Sequence, residues 1–137
     1  MAGKAFLDTN VILYAHDTRE PAKREVALAL YRRVLADDTL VVSTAILGEV
    51  YYNLVRKKIR PPELARRLIE GLAEGGCYVL APGDFVHAAD VSQKHRLGFF
   101  DSLHLVATAR AGADRFYSED LNHGQFVEGV EILNPFN

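Results

Sequence analysis

Short apolar segments alternate with amphipathic segments along most of this chain, and this alternation limits the fold more than any other feature. Short apolar runs between turn signals are typical of buried strands. Apolar strands that alternate with helices favour a parallel sheet with helices on both faces. The sequence therefore predicts an α/β fold, a three-layer sandwich around a central, mainly parallel sheet of about five strands.

Caps, prolines and glycines set the expected boundaries of these elements. Strands are predicted at residues 4–8, 39–43, 77–81, 115–118 and 130–134. Helices are predicted at residues 9–16, 21–36, 44–58, 61–75, 83–96 and 101–112. The first helix has Thr9 or Asn10 as its expected cap, and the third has Ser43. The apolar residues that mark the second, fourth and fifth helices are Val26, Leu30, Val34, Leu64, Leu68, Leu72, Phe85, Val86 and Val91.

Length and composition narrow the classes of protein to consider. The 137 residues predict one domain, residues 1–137, and 49% apolar with 25% charged residues exclude a disordered or fibrous chain. A net charge of −2 argues against a protein that binds nucleic acid purely through an overall positive charge, although it allows a local basic patch. Cys77 is the single cysteine of the sequence. No apolar stretch is long enough for a signal peptide or a membrane span. We expect a cytoplasmic protein without membrane contact.

Acidic residues stand where several predicted strands end. Asp8 ends the first strand, and Glu119 and Asp120 follow Ser118, which ends the fourth. Ligands of parallel sheets bind outside the carboxyl ends of the strands. Each acid alone also fits turn or cap chemistry, and Asp101 is a natural helix cap.

Glu49 is harder to explain by local structure. It lies on a helix stripe with Ile46, beside Val50, and no basic residue occurs from position 34 to 55. An acid beside an apolar face needs a partner, because burying an unpaired charge is costly. Converging carboxylates favour Mg²⁺ or Mn²⁺, which take oxygen ligands and can promote phosphodiester cleavage. The histidines lack zinc-site spacings and are interpreted mostly as surface or locally hydrogen-bonded residues.

Five ordered segments carry a resemblance to a known family. They are FLDTNVILYAHD (6–17), VVSTAILGEVYYNLVRK (41–57), FFDSLHLVATA (99–109), YSEDLNHGQ (117–125) and ILNPF (132–136). Together they resemble a PIN domain, specifically the VapC-like toxins of bacterial and archaeal toxin–antitoxin pairs. The resemblance implies that Asp8, Glu49, Asp101 and Asp120 are catalytic metal ligands, and it favours Asp120 over Glu119. It also matches Asn10 and Ser118 to the polar positions beside them, and we expect Thr9, Asn10 and Ser118 to orient ligands or water.

Two features depart from, or add to, the family pattern. Gly98 and Phe100 replace the usual serine and tryptophan, which alters the pocket wall rather than its ligands. Between positions 56 and 67 six basic residues face a single acid, Glu63. The segment is either a solvated helix hairpin or a rim that contacts RNA phosphates or a partner protein. The residues expected to form this basic rim are Arg56, Lys57, Lys58 and Arg60.

The leading hypothesis from the sequence is a Mg²⁺- or Mn²⁺-dependent endoribonuclease that acts as the toxin of a toxin–antitoxin pair. The implied partners are RNA, a small antitoxin and a second copy of the chain. Tyr51, Tyr52 and Val55 add modest support for a homodimer, because they widen the apolar part of their helix. Two alternatives stay open: a catalytically silent PIN-like module that binds RNA or protein, and an α/β domain in which an aspartate accepts a phosphoryl group.

Overall fold

A computed structural model describes residues 3–37 and 39–137 of the chain. Within these residues, six strands form one sheet and six helices flank it. The strands are β1 (Ala5–Leu7), β2 (Leu40–Ser43), β3 (Cys77–Tyr78), β4 (Arg115–Tyr117), β5 (Phe126–Val127) and β6 (Val130–Leu133). The helices are α1 (Thr9–His16), α2 (Pro21–Ala36), α3 (Thr44–Arg56), α4 (Pro62–Gly75), α5 (Pro82–His95) and α6 (Phe99–Arg110).

The order of the strands places β1 inside the sheet. The sheet runs β3-β2-β1-β4-β6-β5, and β1 pairs in parallel with both β2 and β4. The pairing of β5 with β6 is antiparallel, and the other pairings are parallel. The carboxyl ends of β1, β2 and β4 therefore lie side by side at one edge of the sheet.

Each face of the sheet has its own apolar core. Side chains alternate along a strand, so Ala5 and Leu7 of β1 pack among α1 to α4. Phe6, between them, packs with residues of α5 and α6 on the opposite face. Helices cover both faces, which confirms the predicted three-layer α/β sandwich.

The structure corrects several predicted boundaries. The prediction of five strands omitted β5, which has two residues and pairs with β6 across a turn at Glu128 and Gly129. A strand this short leaves no pattern of alternating residues to detect. Strand β3 ends at Tyr78 instead of residue 81. Helix α6 begins at Phe99 instead of residue 101.

Some apolar residues that mark the predicted helices face outward. Val26, Leu64, Phe85 and Val86 are 40%, 47%, 42% and 67% exposed. On α2 the buried residues are Ala27, Leu30 and Val34, so Leu30 and Val34 face the core as predicted and Ala27 takes the place expected for Val26. In the described part of the chain, no helix is both long and apolar enough to cross a membrane.

Candidate active site

Asp8 lies at the carboxyl end of β1, between the ends of its two neighbours. It is the N-cap of α1, a place that the sequence assigned to Thr9 or Asn10. Its Oδ1 accepts a hydrogen bond from the Thr9 amide at 2.7 Å, and its Oδ2 accepts one from Ser118 Oγ at 2.9 Å. Asp8 is only 6% exposed, so the fold holds a carboxylate inside the protein without a paired lysine or arginine.

Glu49 reaches the same place from α3. Ser43 caps this helix as predicted, with its Oγ accepting from the Ile46 amide at 3.3 Å. Thr9 Oγ1 donates a hydrogen bond to Glu49 Oε1 at 2.8 Å. His104 Nε2 lies 2.9 Å from the same oxygen. The partner that Glu49 needs therefore comes from α6, distant in sequence.

His104 belongs to this cluster, and its interpretation as a surface or locally bonded residue was wrong. It is 3% exposed, and its ring stacks on Phe116 at a centroid distance of 6.2 Å. Asp8, Glu49 and His104 each present one potential ligand atom, and these three atoms lie within 4.8 Å of one another. The available signal was spacing, because His104 follows Asp101 by three residues and so shares its helix face.

Asp101 is not the cap of α6, contrary to its interpretation as a natural helix cap. The N-cap of α6 is Gly98, which makes Asp101 the third residue of the helix. A Cβ added at Gly98 would lie 3.4 Å from Asp101 Oδ2, which is an ordinary van der Waals contact.

Asp120 and Glu119 are adjacent in sequence but point to different surroundings. Asn10 Nδ2 donates to Asp120 Oδ2 at 2.7 Å, and the Asp120 amide donates to Ser118 Oγ at 3.2 Å. Glu119 instead pairs with Lys23 at 2.7 Å and accepts from the Tyr14 hydroxyl at 3.0 Å. Asp120 is therefore the member of this pair that faces the other acids.

All four predicted acids border one open cavity of about 160 Å³. Thr9 and Asn10 border it too, while Ser118 lies behind Asp8 and contacts it. The residues lining the cavity are Asp8, Thr9, Asn10, Glu49, Asn53, Phe100, Asp101, His104 and Asp120.

Burial and mutual repulsion set the charge state of this cluster. Burial raises the pKa of Asp8 above its ordinary value, and the nearby Glu49 adds to the rise. Burial also raises the pKa of Asp101, with further contributions from Asp120 and Glu49. Burial alone would lower the pKa of His104, but its hydrogen bond to Glu49 and the surrounding acids raise it. Burial alone would raise the pKa of Glu49, but His104 and Thr9 lower it.

Comparison with known proteins decides the family. The PIN domain model matches residues 5–127. The chain belongs to the PIN domain family. The matched range contains the four acids, His104 and every strand except β6. No curated protein matches the sequence.

Solved structures with the same fold carry toxin–antitoxin names. VapC20 of Mycobacterium tuberculosis, a sarcin–ricin loop-cleaving toxin, superposes with a TM-score of 0.67 at 17% identity. The match covers 91% of this chain and 98% of VapC20. VapBC2 of Rickettsia felis, bound to a promoter DNA fragment, gives a TM-score of 0.63 at 13% identity and covers 93% and 96% of the two chains. At these identities the likeness establishes the PIN fold.

The basic rim of this PIN domain divides into two parts. Arg56 Nη2 donates to Asn53 Oδ1 at 2.8 Å, and Asn53 borders the acidic cavity. Lys58 and Arg60 instead border a separate cavity of about 320 Å³ beside Pro61 and Pro62. Lys57 is exposed at the end of α3. Of the predicted rim, Arg56 is the residue that the structure connects to the acidic cavity.

The donor set of the acidic cavity fits a hard divalent cation. Carboxylate oxygens are the ligands that Mg²⁺ and Mn²⁺ prefer, and four carboxylates face only one histidine here. Burial, with the neighbouring acids, raises the pKa values of Asp8 and Asp101, so a nearby positive charge would favour their ionised forms. A cation in the cavity could supply that charge. Asp8 and Glu49 belong to the group of close ligand atoms, and Asp101 and Asp120 border the same cavity.

Proposed function

We propose that this PIN domain is a Mg²⁺- or Mn²⁺-dependent endoribonuclease and the toxin of a toxin–antitoxin pair. The observation that carries the proposal is the convergence of four carboxylates on one cavity at the carboxyl edge of the sheet. PIN family membership and the fold shared with VapC20 and VapBC2 support it. The protein is proposed to act in the cytoplasm.

The chain's own residues hold three of the four acids in place before substrate arrives. Thr9 and His104 hold one oxygen of Glu49, and Ser118 holds Asp8. Asn10 holds Asp120 through its side-chain amide. Groups fixed in this way need no reorganisation during reaction, which is the main source of electrostatic catalysis.

The proposed reaction is hydrolysis of an RNA phosphodiester. A divalent cation held by Asp8, Glu49, Asp101 and Asp120 supplies Lewis-acid stabilisation of phosphoryl oxygens and a lowered pKa for water. Without such a cation, the negative charge of the four carboxylates would repel a substrate phosphate. The sarcin–ricin loop activity of VapC20 supports RNA as the substrate class.

Two partners complete the proposal. A small antitoxin is proposed because VapBC2 is a toxin–antitoxin complex with the same fold. A homodimer is proposed on α3, where Tyr51 and Tyr52 are 37% and 62% exposed. Val55 is partly buried against the core, so it contributes less to that surface than the sequence suggested.

Cleavage of a mixed RNA pool is the direct test. With Mn²⁺ or Mg²⁺ the protein should produce defined fragments, and excess EDTA should abolish them because the carboxylates then lack their cation. Absence of cleavage with either metal, in a protein that still binds RNA, would indicate the silent PIN-like module instead. Incorporation of phosphate from acetyl phosphate without RNA cleavage would indicate the phosphoryl-accepting domain.

A further inference from the structure

Phe100 is an exposed aromatic residue on the wall of the acidic cavity. It is 62% exposed although it stands next to Asp101 in the first turn of α6. Residues 102–108 of the same helix are all buried and provide its packing. Phe100 therefore leaves much of its apolar surface available to a ligand.

Two further phenylalanines support the Phe100 ring from behind. Phe99 meets Phe100 edge to face, with ring centroids 5.3 Å apart. Phe99 also stacks on Phe85 of α5 at 6.4 Å. The three rings form a row from the cavity to α5, and such contacts restrict the orientation of the outermost ring.

The position of the cavity indicates where the parts of a substrate would lie. It is open, with a volume of about 160 Å³, and it adjoins the four acids proposed to hold the cation. The reacting phosphate would lie in this cavity beside the cation. The nucleosides on either side of that phosphate would then lie near the cavity wall, where Phe100 presents its ring.

We propose that the base of a nucleotide flanking the cleaved phosphodiester stacks on Phe100. This inference rests on the proposed function and specifies how its substrate is held. Stacking on an aromatic side chain requires a base that has left its own stack, so the flanking nucleotide must be unpaired. On α3, the Arg56 guanidinium lies 5.5 Å from the Tyr52 ring. We place it as a positive charge for the phosphate backbone of the same RNA.

An RNA base fits this position better than an apolar segment of a protein does. The ring borders the same cavity as the four acids, where the proposed function places a cation and the reacting phosphate, and the base is joined covalently to that phosphate. Its position relative to the acids is thus fixed by the substrate itself. If Phe100 instead serves a protein partner, RNA binding by the parent and by Phe100→Ala should depend equally on the bases.

The test compares parent and Phe100→Ala with RNA that carries or lacks bases. Affinities are measured by fluorescence anisotropy with Ca²⁺, for a single-stranded RNA and an abasic oligomer of equal length. Loss of the bases should weaken binding by the parent about 5- to 100-fold more than binding by Phe100→Ala, because stacking is worth that range per base. Phe100→Tyr should restore the dependence on bases, and Phe100→Leu should not.

Phe126→Ala is the matched control. Phe126 is 64% exposed, like Phe100, but lies on the edge strand β5 and does not line the acidic cavity. This variant should bind both oligomers as the parent does. Thermal melts of all variants report whether a loss of binding reflects unfolding.

The outcomes separate this inference from the proposed function. An equal effect of base removal on the parent and Phe100→Ala would overturn stacking, even if the parent cleaves RNA. Rescue by leucine as complete as by tyrosine would also overturn stacking and indicate a non-aromatic apolar contact with the RNA. Base-dependent binding through Phe100 without any Mn²⁺-dependent cleavage would support stacking and contradict the nuclease. A parent that neither binds nor cleaves RNA would contradict both.

Discussion

Two buried aspartates in this molecule, Asp84 and Asp8, have opposite surroundings. Asp84, in the first turn of α5, pairs with Arg110 and accepts hydrogen bonds from the Ala81 amide at 2.8 Å and the Tyr78 hydroxyl at 3.0 Å. Burial alone would raise the pKa of Asp84, but these donors lower it. Burial does raise the pKa of Asp8.

The difference separates structural acids from acids that need an external cation. The fold pairs the Asp84 carboxylate with the Arg110 guanidinium, which compensates its charge. Around Asp8 the fold supplies three further carboxylates and only His104 as a counter-charge. A protein keeps such a repulsive arrangement when the missing charge arrives with a ligand, so perturbed acids of this kind mark functional sites.

The largest difference should appear in catalysis. Asp8→Asn keeps the cap of α1 but removes a central charge. We therefore expect the rate of RNA cleavage to fall by about 100-fold or more. Initial rates at saturating Mn²⁺ measure this. Asp84→Asn is the isosteric control and should cleave at the parental rate. Equal losses in the two variants would erase the distinction between the two aspartates.

The next difference should appear in stability, where Asp84→Asn should have the larger effect and Asp8→Asn the smaller one. Asp84→Asn leaves a weaker partner for Arg110 and should lower the free energy of unfolding by roughly 2 kcal/mol. Asp8→Asn in EDTA should change it by less than about 1 kcal/mol, because relief of repulsion offsets the weaker hydrogen bonds. Urea denaturation of both variants in EDTA gives the two values. A larger loss for Asp8→Asn would show that Asp8 is a structural acid.

A smaller effect tests the same distinction between neighbours in sequence. Asp120 faces the cavity, whereas Glu119 pairs with Lys23. Asp120→Asn should slow cleavage by about 10-fold or more, because it removes an anionic oxygen from the site. Glu119→Gln should leave the rate within about twofold of the parent. The reverse order would place Glu119 among the cation-holding acids.

The smallest effect should be the opposite pH dependence of the two aspartates in EDTA. The raised pKa of Asp8 means that the folded state binds its proton more tightly, so its contribution to stability falls as pH rises above 3.8. The lowered pKa of Asp84 means that its contribution is present above pH 3.8 and is lost below it. Unfolding free energies from about pH 3 to 7, each compared with the matching asparagine variant, should diverge in these directions. Parallel curves would contradict the account.

Local signals in the sequence drew attention to these acids, and the resemblance to PIN domains implied the full set of four. Asp8 and Ser118 follow apolar strands, and a parallel sheet brings such ends together. Glu49 stood out because no base nearby in sequence could pair with it. These signals depend on periodicity and spacing, which a single sequence displays.

The parts that the sequence missed depend on tertiary packing. His104 enters the site because α6, on the opposite face of the sheet from α3, brings its side chain to Glu49. The direction of Glu119 is set by Lys23 on α2, which no local pattern reveals. The outward position of Val86 depends likewise on which face of α5 packs against α6, and its apolar character predicted the opposite.

Thermal melting with and without Mn²⁺ tests the central claim that the four acids form a cation site. The proteins are the parent, Asp101→Asn and Asp84→Asn, each in EDTA and in excess Mn²⁺. Mn²⁺ should raise the Tm of the parent and of Asp84→Asn equally, since binding stabilises the folded form, and raise that of Asp101→Asn much less. Asp101→Asn should also be as stable as the parent in EDTA, or more stable by about 1 kcal/mol. Equal Mn²⁺-induced shifts in the parent and Asp101→Asn would contradict the account.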